Sequence, residues 1–153
     1  MVIDGKYMNQ KYSKEKQLQK STIKKMYSER KITLNRLIKT FHKYIRLRDI
    51  QLPCISCGSW IKLQAGHYYN AGNYASLRFD EKNVNGQCVQ CNYFKEGNKQ
   101  GYRDGLIKKY GIDVLIDLKI KKNNISKLDV FELNCLNEEY KKKTKELIGY
   151  QNK

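Results

Sequence analysis

The chain has 153 residues, 40% hydrophobic and 30% charged, which suits one ordinary domain and excludes two. Its 31 Lys and Arg stand against 15 Asp and Glu, and the resulting formal charge of +16 points to a polyanion as partner. No apolar run approaches the ~18 residues of a bilayer span, and residues 1–19 are polar and Lys-rich with no apolar leader segment, so a soluble, unexported chain with no membrane partner is expected.

The excess charge is uneven: +10 over residues 1–50, +2 over 51–100 and +4 over 101–153. Residues 1–12 are polar and aperiodic, which reads as a loose tail. Residues 13–48 contain no Gly or Pro, and Leu34, Leu37, Ile38, Phe41, Tyr44 and Ile45 recur at three- and four-residue spacing, predicting one or two amphipathic helices. Pro53, the only proline, closes that region.

From 53 to 98 the texture changes. Gly58, Gly66, Gly72, Gly86 and Gly97 follow at short intervals, which predicts a loop-rich core with short strands at most. Residues 102–110 then read as a short helix stopped by Gly111, and residues 112–122 as a second, with Val114, Leu115 and Leu118 on one face. Asp129 is the expected N-cap of a last helix carrying Val130, Leu133, Leu136, Tyr140 and Leu147.

Four of five cysteines form two Cys-x-x-Cys pairs, Cys54/Cys57 and Cys88/Cys91, separated by residues 58–87. Each pair puts two thiolates on one tight turn, and two such turns complete a tetrahedron around Zn²⁺. Disulfides are not expected in an unexported chain, and Cys135 reads as a small core residue of the last helix.

Of the two histidines, His42 beside Phe41 reads as a partly buried helix residue without chemistry. His67 lies in Ala65-Gly66-His67-Tyr68, inside the cysteine loop. A histidine in a short hairpin, Asn83 five residues before a Cys-x-x-Cys and Asn92 just after it make the pattern of an HNH nuclease with a zinc clip. The expected fold class is therefore α+β: a small zinc-stapled ββα, HNH-like core at 51–100. It is flanked by the basic N-terminal tail and helical arm of 1–50 and by C-terminal helices at 101–153, in one domain overall.

The chain resembles the phage NinG/Rap recombination endonuclease family. The resemblance is carried by YIRLRD (44–49), PCISCG (53–58), QAGHY (64–68), LRFDEKNVNGQC (77–88), CN (91–92), GN (97–98) and LIKKYG (106–111). It implies a metal-dependent, structure-specific endodeoxyribonuclease for branched recombination intermediates such as Holliday junctions and D-loops. The expected setting is the cytoplasm of a bacterial host cell, with room for a homodimer. The arrangement also looks like phage endonuclease VII, a zinc-clipped junction resolvase.

By that likeness His67 is the general base, Asn92 a ligand of a catalytic Mg²⁺ or Mn²⁺, and Asn83 the tie of the loop that presents the histidine. The wider HNH pattern has an Asp before the base, where this chain has Gly66, so the missing cation ligand falls to Asp80 ahead of Glu81. Arg46, Arg48, Arg78, Lys95, Lys99 and Arg103 are the expected phosphate contacts. Tyr68, Tyr69, Tyr74 and Tyr93 could stack on unpaired bases or fill a small core. The alternative reading is a non-catalytic zinc-clipped DNA-binding module.

Overall fold

A computed structural model describes residues 5–151. Its first helix, α1, runs unbroken over Gly5–Arg48. Residues 5–12, expected as a loose tail, thus continue the helix, and residues 1–4 lie outside the described part. Polar sequence without periodicity says only that a helix has no buried face; Lys, Gln and Tyr tolerate the helical backbone well enough for it to extend from a packed segment. Every side chain from 12 to 29 is in fact exposed, and burial begins only at Thr33.

From there Leu37, Phe41, Tyr44 and Ile45 form the predicted stripe, each worth roughly 1.5–3 kcal/mol on burial. They pack on Leu133 and Tyr140 of α4, Val130–Gln151. Arg30 donates to the Leu128 carbonyl, Arg36 to Asn134 (2.9 Å) and Thr40 to Asn137 (2.8 Å), so the two helices lie side by side in the same direction. Asp129 caps α4 as expected: its carboxylate accepts the Glu132 amide while the Glu132 carboxylate accepts the Asp129 amide, both at 2.8 Å. Cys135 is a correction. It is exposed, because the buried stripe of α4 runs through Leu133, Asn137 and Tyr140 and a residue two places after Leu133 turns to the far side.

Between the helices sits one antiparallel hairpin, β1 (Leu63–His67) and β2 (Val84–Cys88), in register from Leu63 opposite Cys88 to His67 opposite Val84. All five β2 residues are buried, Val84 and Gly86 facing α1 and Asn85 and Gln87 the other way. The far side is covered by α2 (Lys99–Tyr110) and α3 (Asp113–Lys121), whose Tyr102, Leu106, Val114 and Leu118 surround Leu77. The chain is thus α+β, a two-stranded sheet between two pairs of helices. Among the described residues no helix is long and apolar enough to cross a membrane.

α1 ends where its last turn is drawn under the sheet. Asp49, 2% exposed, accepts two Arg48 nitrogens (2.7 and 2.9 Å), Lys109 Nζ (3.0 Å) and the Gly86 amide (2.7 Å). Burial alone would raise its pKa, but these donors hold it below the usual carboxylate range. α2 approaches the Cys54/Cys57 turn closely because Gly101 and Gly105 face it; a Cβ at either would overlap the Ser56 or Ile55 carbonyl.

Candidate functional site

The two cysteine pairs meet at one end of the hairpin. Cys54 and Cys57 stand on a tight turn closed by Gly58 N–H to the Cys54 carbonyl (2.9 Å). Cys88 ends β2, and Cys91 sits in the π-helical turn Gln90–Phe94 that follows. All four sulfurs lie within 4.8 Å of one another, and Cys57 Sγ is 3.8 Å from Cys88 Sγ. That separation is the edge of a tetrahedron built on ~2.3 Å metal–sulfur bonds. The amides of Cys88 and Cys91 point at Cys54 Sγ and Cys88 Sγ (3.3 and 3.4 Å), Asn98 Nδ2 at Cys91 Sγ (3.4 Å), and the Ser59 hydroxyl lies 3.1 Å from Cys57 Sγ. Donors converging on sulfur suit thiolates, so the four cysteines could hold one structural metal ion. Asn98, held at φ +40 to reach the sulfur, is a supporting residue that the spacing of cysteines alone does not announce.

About five residues along β1 from this centre, His67 opens onto a cleft of about 400 Å³ that it shares with Asn70, Asn92, Glu96 and Lys99. Its Nε2 lies 3.1 Å from the Arg78 carbonyl oxygen. A carbonyl only accepts, so Nε2 carries the proton and Nδ1 keeps its lone pair. Burial lowers the His67 pKa, the hydrogen bond to the Arg78 carbonyl opposes this, and the positive charges of Arg78 and Lys99 add to the lowering, so the ring is mostly neutral near pH 7.

His42 is the feature the sequence does not disclose. Its ring stands edge-on to His67, centroids 5.8 Å apart, because α1 crosses over β1. Burial, then the His67 and Arg46 charges, push its pKa down to about 4. Only the tertiary crossing makes this pair; nothing near His42 in the chain signals it.

Asn83 is fully buried, accepting the Tyr69 amide (2.8 Å) and donating to the Tyr69 and Leu77 carbonyls (3.0 and 2.9 Å), which clamps the long hairpin loop behind His67. Asn92 lies in the cleft, its Nδ2 donating to Gln64 Oε1 (2.9 Å), an arrangement that leaves its carbonyl oxygen available. Asp80 is elsewhere: one carboxylate oxygen accepts the Lys82 and Asn83 amides (2.9 and 3.0 Å) and the other pairs with Lys121 (3.3 Å). Glu81 is likewise engaged, by Tyr44 and Lys143, both at 2.8 Å. The carboxylate that does line the cleft is Glu96, an exposed residue at φ +49 in the turn after Asn92. A non-glycine residue in that region is strained, and such strain clusters at functional sites.

Gly66 is closed to any side chain. A Cβ there would run into the buried Gln87 side chain, whose Nε2 donates to Ser56 Oγ (2.7 Å) and the Gly97 carbonyl (2.6 Å) and whose Oε1 has no partner. Gly66→Asp is therefore expected to lower stability by ~1–3 kcal/mol, as overpacking does. Adding Gln87→Ala should make the double variant more stable than the two single losses summed, by at least ~0.5 kcal/mol. Urea unfolding of the four proteins reads this directly; strictly additive losses would show that the two positions do not compete.

The expected phosphate contacts divide. Arg46 and Lys95 are exposed, Arg103 is exposed and paired with Asp104 (3.7 Å), and Lys99 stands on the cleft rim with its ammonium on the His67 and Tyr68 carbonyls. Arg78 is half-buried and donates to the Ala71 carbonyl (2.9 Å). Arg48 is a correction: its guanidinium is consumed by Asp49, the Glu81 and Val84 carbonyls and Asn85 Oδ1, and it holds the fold together. Tyr68 and Tyr74 each meet Tyr69 edge-to-face against the second core, whereas Tyr93 is open to solvent beside Phe94.

The family described as bacteriophage lambda NinG protein matches residues 4–149. The curated protein ninG of Escherichia phage lambda is 39% identical over 106 residues, and those of Escherichia phage 933W and Salmonella phage P22 are 40% identical over 106 residues. Each alignment takes in 68% of this chain and 52% of the relative, so the chain spans about half the length of the curated relatives it matches. No solved structure matches.

Proposed function

The chain belongs to the NinG family, and from that premise we propose that it is a metal-dependent endonuclease for branched DNA. The observation that carries the reading is that a neutral histidine, an asparagine and a glutamate line one cleft beside a four-cysteine clip. Phosphodiester hydrolysis needs a base to take a proton from the attacking water and a cation to neutralise charge on the phosphate. His67 supplies the base. Asn92 and Glu96 offer the hard oxygens that suit Mg²⁺ or Mn²⁺, Glu96 taking the part that the sequence assigns to Asp80. The cysteine site takes Zn²⁺, the ion that four thiolates on two tight turns fit best. In this reading β1, β2 and the turn after them form an HNH-like ββα unit similar to that of endonuclease VII.

The partner is the DNA backbone. Lys14, Lys16, Lys20, Lys24 and Lys25 on the exposed length of α1 add to Arg46, Lys95, Lys99 and Arg103. Gly66, closed by Gln87, is the one feature that favours the alternative of a zinc-clipped DNA-binding module without catalysis. The test is incubation of the zinc-loaded protein with a labelled four-way junction and a matched linear duplex, with and without Mg²⁺ or Mn²⁺. Cation-dependent cutting of the junction is the expected result, and binding without cutting under every cation selects the module.

Binding should also be dominated by released counterions. At ~0.9 counterions per phosphate, contact with three or four phosphates gives a log–log slope of affinity against salt of about −3 or steeper. Fluorescence anisotropy between low and moderate salt measures it, and a slope near zero removes the nucleic-acid role in either form.

A further inference from the structure

Trp60 is the single tryptophan of the chain and is 73% exposed, in the link between the first cysteine turn and β1. Ile50, Leu52 and Ile61 around it are exposed as well, and with Arg46 and Lys62 they line a shallow cleft of about 440 Å³. Contiguous apolar surface held in water is costly and marks a contact site. This one is rimmed by two cations and no carboxylate.

Its position ties it to the His67 cleft. β1 begins at Leu63 in the Trp60 patch and ends at His67, four strand steps or roughly 13 Å away. Along α1, His42 touches His67, and Arg46, one turn on, borders the patch. The patch and the cleft are the two ends of one α1–β1 seam.

We propose that Trp60 is a stacking platform for an unpaired DNA base, with Arg46 and Lys62 holding the phosphates on either side, and that this patch distinguishes a branch point from continuous duplex. The inference rests on the nucleic-acid reading above. In continuous duplex each base face is covered by its neighbours, so a tryptophan finds no partner without unstacking a step. At a fork or in a single strand the faces are open, and stacking on an aromatic ring is favourable for every base. The cations make the site complementary to a phosphate-bearing ligand; an apolar protein segment would leave them without a counter-charge.

Because Trp60 is alone, its fluorescence reports on this patch only. The zinc-loaded protein without Mg²⁺ or Mn²⁺ is titrated with oligodeoxythymidylate, with a fork bearing single-stranded arms and with blunt duplex, while anisotropy of labelled DNA follows binding separately. Oligodeoxythymidylate and the fork should quench Trp60 emission, and the duplex should bind with little quenching. Trp60→Ala should weaken fork binding by ~5- to ~100-fold and leave duplex binding within about twofold, while Trp60→Phe keeps most of the fork affinity. Fork binding without quenching and with no loss in Trp60→Ala overturns the inference and leaves the nuclease reading standing. Absence of all DNA binding overturns both. A blue shift of Trp60 that grows with protein concentration in the absence of DNA would mean that a second copy covers the patch, and overturns it too.

Discussion

Cys88→Ser is expected to lose the metal and unfold the hairpin core. Serine keeps the shape of the side chain but replaces a soft thiolate with a hydroxyl, and a tetrahedral site with three sulfurs loses most of its hold on Zn²⁺. Binding to a structural site of this kind is worth ~10–16 kcal/mol of apparent free energy, as large as the whole net stability of an ordinary domain, ~5–15 kcal/mol. The effect extends beyond the sulfurs. Cys88 is the last residue of β2 and stands opposite Leu63, Cys54 Sγ accepts the Cys88 amide, and the Cys91 amide points at Cys88 Sγ, so the site pins the open end of the hairpin, where β1 starts and β2 stops, together with the π-turn. Metal content by atomic absorption and the far-UV spectrum should both fall in the variant, and a chelator should do the same to the wild type. A wild-type protein that is folded and metal-free would overturn the metal's structural role.

The helices were readable because burial in them repeats. Leu37, Phe41 and Ile45 on α1 and Leu133 and Tyr140 on α4 recur with the helical period, and the Asp129/Glu132 box marks a start by local chemistry alone. The first turns of α1 are not legible, because an exposed helix has no stripe. Cys135 has a residue type that suggests the core, but its phase on α4 puts it outside. The cysteine pairs were legible since metal spacing is a local property, and Asn83 and Asn92 lie against those pairs in sequence.

What stayed hidden depends on how distant segments cross. The likeness supplied the slot before His67 but not its occupant, Gln87, which belongs to the opposite strand. Asp80 is close to Asn83 in sequence, yet its oxygens cap a turn and meet Lys121 of α3. Glu96 reaches the cleft through a left-handed turn that no periodicity announces. Arg48 sits among exposed-looking basic residues, and only the reach of Lys109 from α2 to Asp49, just past the end of α1, shows that Asp49 and Lys109 claim its surroundings.

His67→Ala is expected to bind branched DNA about as well as the wild type and to cut it ~10²- to 10⁴-fold more slowly, the usual worth of a general base. The substitution leaves the cysteine centre and the exposed lysines untouched, and it removes a ring that one carbonyl contact and the His42 edge hold in place. The pH profile separates a base from a mere packing residue. A base must be neutral, so the rate falls as the imidazole takes up a proton. Burial and the Arg78 and Lys99 charges place that event below the ordinary ~6.5. The midpoint of the wild-type acid limb should therefore lie below pH ~6.5, and the residual rate of His67→Ala should lack this limb. Glu96→Gln and Asn92→Ala should instead shift the Mg²⁺ concentration needed for half-maximal cutting upward while keeping the acid limb, since they hold the cation and not the proton. Equal cutting by the wild type and His67→Ala would remove His67 from the mechanism, and an acid limb that persists in His67→Ala would assign the titrating group elsewhere.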